Sequence, residues 1–412
     1  MNILQVCPSF YPCLDWGGVV VVVYELSVEL VSRGHQLTVY TTDSCPEIKG
    51  DNHNPQNIDG IKTYYFKNMF KKLQSKFNIA NPYNLGGIPR REIKNFDVIH
   101  IHEHRTFLAV IVHRYAKKHG IPYLIQAHGS VMQHTQKTFL KKIFDRIWGY
   151  DILNDASCVI ALNETELTEY NLLGVPIDKI RLIPNGINLE KFKNLPCRGK
   201  FRKKHKIGED EKIVLYLGRL NQTKGIDDLI KVFPQILDGY PETWLVIAGP
   251  DDGFGDYLLE LTRNMDKIIL EGPLYNQEKL EAYVDADVFV TPTFSGFPIT
   301  FLEACACGTP IVTTDRGDKL DWIEDVGLIA SAENLAQDKN LVRDGNLVCD
   351  ENLAQDESLA HNGLAQCILK ILSDDKLSHK FSKNGQKLVK ERFNWQCLSL
   401  EIEELYKEIS IL

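Results

Sequence analysis

The chain lacks any apolar run long enough to cross a bilayer. Its densest stretch, Gly17 to Tyr24, is closed by Glu25, whereas a spanning helix needs about 20 such residues. No charged-then-apolar leader opens it: Asn2-Ile3-Leu4-Gln5-Val6-Cys7 already reads as a strand, so no secretory signal is expected. Positive charge is not in excess either. Lys and Arg number 47 against 55 Asp and Glu, a net charge of -8, which argues against nucleic acid as a partner. The ten cysteines show no metal-ligand spacing. Cys305-x-Cys307 lies among small residues of a helical stretch and reads as buried packing. No metal is expected, and a reducing cytoplasm fits best. A G-x-G-x-x-G turn is missing after the first strand, which counts against a dehydrogenase.

What is present is the composition of a packed protein, with 44% hydrophobic and 25% charged residues over 412 positions. That length suits two α/β domains. Apolar runs recur at Ile3–Cys7, Gln36–Thr41, Val98–His102, Tyr123–Ala127 and Cys158–Ala161, with helical stretches between them. A second series follows at Ile213–Leu217, Trp244–Ala248, Ile268–Leu270, Val288–Thr291 and Pro310–Thr313. Alternation of this kind predicts doubly wound parallel sheets. The five valines Val19 to Val23 favour a strand intrinsically. The spacing of Val22, Leu26 and Leu30 predicts a helix instead, closed at Gly34.

Between the two series, Arg181-Leu182-Ile183-Pro184-Asn185-Gly186 reads as a short strand and turn. The basic stretch Cys197 to His205 after it reads as a solvated linker helix. Domain boundaries are placed at 1–188, 189–385 and a C-terminal helix 386–412, with Leu398, Ile402, Leu405 and Ile409 as its apolar face. Glu333-Asn334-Leu335-Ala336-Gln337-Asp338 recurs as Glu351-Asn352-Leu353-Ala354-Gln355-Asp356. We read this as an 18-residue duplicated surface insertion near 333–363, because two copies are too few for a solenoid.

Ligands of open parallel sheets bind beyond the carboxyl ends of the strands, and the chemistry of this chain gathers there. Gly17-Gly18 opens a helix after the first strand, where free amides favour a phosphate or a sugar hydroxyl. Gly218-Arg219-Leu220-Asn221-Gln222-Thr223-Lys224-Gly225 sets a planar guanidinium and an ammonium in one loop, a pair suited to clamping a diphosphate. Pro292 to Ala304 carries Pro298 in a predicted first helical turn and Glu303 one turn further, where its carboxylate can take a ribose cis-diol. His128 stands at the end of another strand and is expected to project toward the ligand.

In their order and spacing these motifs resemble the retaining GT-B glycosyltransferases of family 4. The resemblance runs from the Gly17-Gly18 opening through Arg33-Gly34-His35, Asp97-Val98-Ile99-His100-Ile101-His102 and Ala127-His128-Gly129. It continues through Ile183 to Asn188, Gly218-Arg219-Leu220 with Lys224-Gly225, and Gly296-Phe297-Pro298 to Pro310. It implies two Rossmann-like domains facing each other across a cleft and a nucleoside-diphosphate sugar, UDP- or GDP-linked, as donor substrate without a further cofactor. It also implies Arg219 and Lys224 on the diphosphate and Glu303 on the ribose. The amides of Ile299 and Thr300 would take the distal phosphate, and the base would lie near Gly272-Pro273-Leu274. His128 and Gly18 would reach the sugar or phosphate. The final helix is expected to cross back onto the first domain. Transfer is expected to retain anomeric configuration without metal.

The chain departs from the family pattern at Ser295, where a sugar-contacting glutamate usually stands eight positions before Glu303. A degenerate GT-B protein that binds nucleotide sugar without transfer therefore stands as an alternative, as does a same-fold epimerase. The acceptor is expected to be a glycan or lipid-linked sugar of cell-surface polysaccharide or glycolipid synthesis. Phe66 to Phe77 and Lys137 to Phe144 mix lysines with apolar residues, as do segments that lie on anionic membranes. The expected location is the cytoplasm, with weak contact at the inner face of the membrane.

Overall fold

The computed structural model describes residues 1–45, 48–68, 82, 85, 87–131, 138–331 and 353–411. The chain forms two compact units, Met1–Asn188 with Phe393–Leu412, and Leu189–Arg392.

The first unit is built on an eight-stranded sheet of β1 (Asn2–Val6), β2 (Gln36–Thr42), β3 (Gln56–Ile58), β4 (Ile61–Phe66), β5 (Val98–His102), β6 (Tyr123–Gln126), β7 (Cys158–Ala161) and β8 (Ile180–Leu182). The order is β3-β4-β2-β1-β5-β6-β7-β8. Strand β1 pairs in parallel with both β2 and β5, so the chain winds outward from it in two directions. β3 alone is antiparallel. Its hairpin turns on Asp59 and Gly60, both at positive φ, as a tight two-residue hairpin turn requires.

The helix Gly18–Ser32 contains all five valines and buries Val20, Val22 and Val23 beside Leu26 and Leu30. Burial of that face outweighs the small intrinsic preference of valine for strands. Beyond its end Gly34 sits at φ 89, and the amides of Gly34 and His35 return to the carbonyls of Val31 and Leu30. Those bonds satisfy carbonyls the last turn leaves open. The helix Trp395–Ile411 belongs to the same unit, with Leu398, Ile402, Leu405 and Ile409 buried. Polar contacts fasten it, among them Trp395 Nε1 donating to Glu25 Oε2 at 2.9 Å, Tyr406 Oη against His100 Nδ1 at 2.8 Å, and Arg33 paired with Glu403 at 2.8 Å.

The second unit carries a six-stranded parallel sheet of β9 (Lys212–Leu217), β10 (Thr243–Ala248), β11 (Ile268–Glu271), β12 (Val288–Thr291), β13 (Ile311–Thr314) and β14 (Gly327–Ala330). Its order is β11-β10-β9-β12-β13-β14, so the winding reverses between β9 and β12. Near-continuous apolar strands such as Ile213-Val214-Leu215-Tyr216 are what a sheet covered on both faces demands. The linker helix exposes Lys200, Lys203 and Lys204 as expected, but not every cation in it is solvated. Arg202, in the helix Lys200–His205, is buried and donates to the carbonyls of Gly208 and Asp285 and to Asp287. Of the duplicated segment, residues 332–352 lie outside the described residues. From Leu353 the second copy runs inside the helix Leu353–Ser373, whose Leu364 and Ala365 are buried.

Candidate functional site

The reversal point of the second sheet collects most of the residues singled out in this half. After β9 the chain turns through Gly218 and Arg219, and Gly249, after β10, passes so close that a Cβ there would stand 1.8 Å from the Gly218 carbonyl oxygen. Only glycine allows this approach, which brings the ends of two strands together in front of the sheet. The Gly249 amide then donates to the Gly272 carbonyl at 3.2 Å, adding the end of β11, where Gly272 and Pro273 are exposed and Leu274 is buried.

Arg219 pairs with Asp252 at 2.9 Å, and Asn221 Nδ2 holds the same carboxylate at 3.0 Å. Lys224 is different. It makes no ion pair among the described residues, and burial together with the nearby Arg219 guanidinium pushes its ammonium down to about 8. The carboxylates of Asp252 and Asp318 act in the opposite direction without offsetting it. The Thr293 amide donates to the Lys224 carbonyl at 3.2 Å, tying the cationic loop to the segment that leads into the helix Ile299–Cys307. No side chain caps that helix, and Pro298 occupies its N-cap rather than its first turn, since φ -71 and ψ 122 are extended. The orphan amides of an uncapped helix start, beside an unpaired ammonium, favour an oxyanion. Ser295 is exposed, and the next residue, Gly296 at φ 72, donates its amide to Asp318 at 2.6 Å.

Glu303 is buried, and its carboxylate already has partners. Lys279 Nζ lies 2.5 Å from Oε1, and Tyr283 Oη donates to Oε2 at 3.2 Å. The sequence reading placed this carboxylate open to a ribose. The structure adds Lys279 beside it, a residue that reading missed because the lysine sits on the separate helix Asn276–Asp285. The chain's one Asp-x-Asp, Asp285-Ala286-Asp287, has its carboxylates engaged within the protein. Asp285 accepts from the amides of Gly199 and Arg202, and Asp287 from the Ile213 amide and from Arg198 and Arg202.

In the first unit His128 follows β6 at φ 54, a left-handed conformation uncommon outside glycine. Its neighbour Glu103, at the end of β5, stands at φ 65. Strained backbone at two adjacent strand ends is a mark of a functional rim. His128 Nε2 lies 2.9 Å from His102 Nδ1, His102 stacks on His100 at 4.0 Å between centroids, and Tyr406 Oη holds His100. Burial keeps all three imidazoles neutral, His128 pushed down to about 3. His128 Nδ1 has no hydrogen-bond partner among the described residues. The sequence reading carried His100 and His102 within the resemblance but gave them no role, although their alternation along β5 already places both on one face.

Gly17 and Gly18 do open a helix, with Gly17 at φ 96 as its N-cap and no side-chain cap. A disulfide between Cys13 and Cys45 links the segment before them to the one after β2. A reducing cytoplasm was expected from the cysteines, and this pair departs from that. Cys305 and Cys307 are free and buried, their thiols pushed up by desolvation.

Comparison with known proteins bears on the same two halves. The model of Glycosyltransferase Family 4 matches residues 16–191, and that of Glycosyl transferases group 1 matches residues 198–388. An uncharacterized glycosyltransferase of Methanocaldococcus jannaschii is 27% identical, covering 96% of each chain. The alpha-monoglucosyldiacylglycerol synthase of Streptococcus pneumoniae is 25% identical over 74% of this chain and 69% of its own length. Among solved structures, Anabaena HepE in complex with UDP and glucose superposes with a TM-score of 0.71 at 18% identity, covering 99% of this chain and 100% of that one. With both models matched in order on two parallel-sheet α/β units, the chain belongs to the group 1 glycosyltransferases of GT-B fold.

Proposed function

We propose that this glycosyltransferase moves a hexose from a UDP- or GDP-linked donor to a glycan or lipid-linked acceptor, retaining anomeric configuration and using no metal. The observation that carries the reading is Lys224, a half-buried ammonium without an anionic partner among the described residues, beside Arg219 and tied to the segment before the uncapped helix at Ile299.

Breaking the bond between the sugar and the diphosphate builds negative charge on the departing group. Arg219, Lys224 and the amides of Ile299 and Thr300 supply fixed positive potential there, which is typically the largest catalytic contribution. Glu303 is assigned the ribose, with Lys279 shared between them, and the segment at Leu274 the base. In the first unit, His128 Nδ1 and the amides at Gly17 and Gly18 are assigned to sugar hydroxyls or phosphate. The engagement of Asp285 and Asp287 with Arg202 and Arg198 supports charge neutralisation by side chains rather than by an ion on that pair. UDP with glucose on HepE supports a nucleotide-sugar donor. The pneumococcal alpha-monoglucosyldiacylglycerol synthase, as a relative, supports a lipid acceptor.

The test is release of nucleoside diphosphate from UDP-, GDP- and ADP-sugars with and without lipid or glycan extract. One donor should turn over, and Arg219→Ala or Lys224→Ala should each lose about a hundredfold, equivalent to roughly 3 kcal/mol of barrier. Ser295, in the place of the usual glutamate, favours one second reading, a binder without transfer. Tight donor binding with no turnover, followed by turnover in Ser295→Glu, would establish it.

A further inference from the structure

Among the exposed large apolar side chains, Phe139 (74% exposed), Leu140 (55%), Ile143 (41%), Ile147 (51%) and Tyr150 (40%) fall in one continuous helical segment. It comprises Thr138–Phe144, a π turn Asp145–Gly149 and Tyr150–Asn154. Their spacing of one, three, four and three residues keeps them on a single face. The opposite face is firmly seated. Asp145 is gripped by Arg105 through two bonds of 2.8 and 2.9 Å, and Phe144 and Trp148 pack on Phe107 with ring centroids 6.2 and 5.6 Å away. A Cβ at Gly149 would meet Asp145 Oδ1 at 2.4 Å, so the segment is packed closely where it turns. The apolar face therefore points outward because the inner one is fully engaged.

Lys142 and Arg146 are exposed in the same segment and make no ion pair among the described residues. Over Thr138–Asn154 the cations Lys141, Lys142 and Arg146 outnumber the acids, Asp145, which faces inward on Arg105, and Asp151, exposed just beyond Tyr150. On a chain of net charge -8 this is a local reversal of sign. A second copy meeting it across a two-fold axis would set like charges against each other. An anionic lipid surface satisfies both parts, taking the apolar side chains below the headgroups and the cations among them. We infer that the face of Phe139, Leu140, Ile143, Ile147 and Tyr150, with Lys142 and Arg146, docks the protein on anionic membrane. The inference deepens the proposed transfer to a lipid-linked acceptor, by bringing the enzyme to the surface that holds it. Its test needs no turnover.

The full chain is sedimented with vesicles of phosphatidylcholine alone and of phosphatidylcholine with phosphatidylglycerol, at low and high salt, and light scattering without lipid reports oligomeric state. Binding should require phosphatidylglycerol and fade with salt. Lys142→Ala and Arg146→Ala should each weaken it roughly fivefold, the equivalent of about 1 kcal/mol per cation, and Ile147→Ser roughly tenfold. Being exposed, all three should keep the wild-type melting temperature and the wild-type affinity for nucleotide sugar without lipid. Equal binding to neutral vesicles, or variants that bind like wild type, would overturn the inference. So would a dimer in wild type that Ile147→Ser converts to monomer, which would assign the face to a second copy. Vesicle binding without any donor turnover would leave the docking surface standing and sink the transferase reading alone.

Discussion

His102 Nδ1 and His128 Nε2 stand 2.9 Å apart with both rings neutral, so one donates to the other and the pair locks the ring and tautomer of His128. His128 Nδ1, without a hydrogen-bond partner among the described residues, is thereby aimed. Replacing His102 by Ala should lower kcat/KM about tenfold by freeing that ring, the worth of one well-placed hydrogen bond. His102→Asn should recover part of the loss. A drop in melting temperature with unchanged kinetics would show that the pair only packs.

The same imidazoles predict acid sensitivity. His100, His102 and His128 titrate in the fold below the ordinary 6.5, so between 6.5 and their folded values the unfolded chain holds more protons. Stability of the first unit should therefore be complete above pH 6.5 and fall as pH drops below it. Thermal melts across pH 7 to 4 check the sign, and His100→Phe should flatten the dependence.

Lys224 predicts the opposite edge. Its ammonium is held near 8 by burial and Arg219, and an arriving diphosphate would raise it again. Donor affinity should then weaken as pH climbs through 8, because the bound state takes up a proton. Calorimetric titration of nucleoside diphosphate from pH 7 to 9.5 should show this slope, and Lys224→Met should abolish it.

Gly249→Ala tests the close approach behind the cationic loop. The added methyl would stand 1.8 Å from the Gly218 carbonyl, so the strand ends must part, at about 3 kcal/mol of stability. Denaturant unfolding should report that loss, together with weaker nucleotide binding.

Trp395→Phe removes the indole donor from Glu25 Oε2 while leaving the Asn188 amide on the same oxygen. We expect about 2 kcal/mol of destabilisation of the first unit, since the acceptor is a charged group with little water around it. Hydrogen exchange should rise first along Trp395–Ile411.

Much of this architecture was legible in the residues. Val98–His102, Cys158–Ala161 and Val288–Thr291 emerge at the expected positions because strands buried on both faces read as unbroken apolar runs. The Val19–Val23 run was readable as helix only through its spacing with Leu26 and Leu30. The hairpin of β3 and β4 was missed, though Asp59-Gly60 carried its signal. β14 was missed because Gly327-Leu328-Ile329-Ala330 is short and opens on glycine.

Sequence alone determined the alternation of strand and helix, the order of the motifs, and the loops that carry Arg219, Lys224 and Ser295. These are local properties, set by periodicity and turn chemistry. The tertiary structure decided what each charge meets: Asp252 on Arg219, Lys279 on Glu303, Arg202 on the Asp-x-Asp, His102 on His128, and no ion pair on Lys224 among the described residues. It also decided that Cys13 meets Cys45 and that Phe139 and Ile147 face outward. Partners far apart along the chain meet only when the sheets wind, because the strength of a charge depends on burial and on the neighbour that folding supplies.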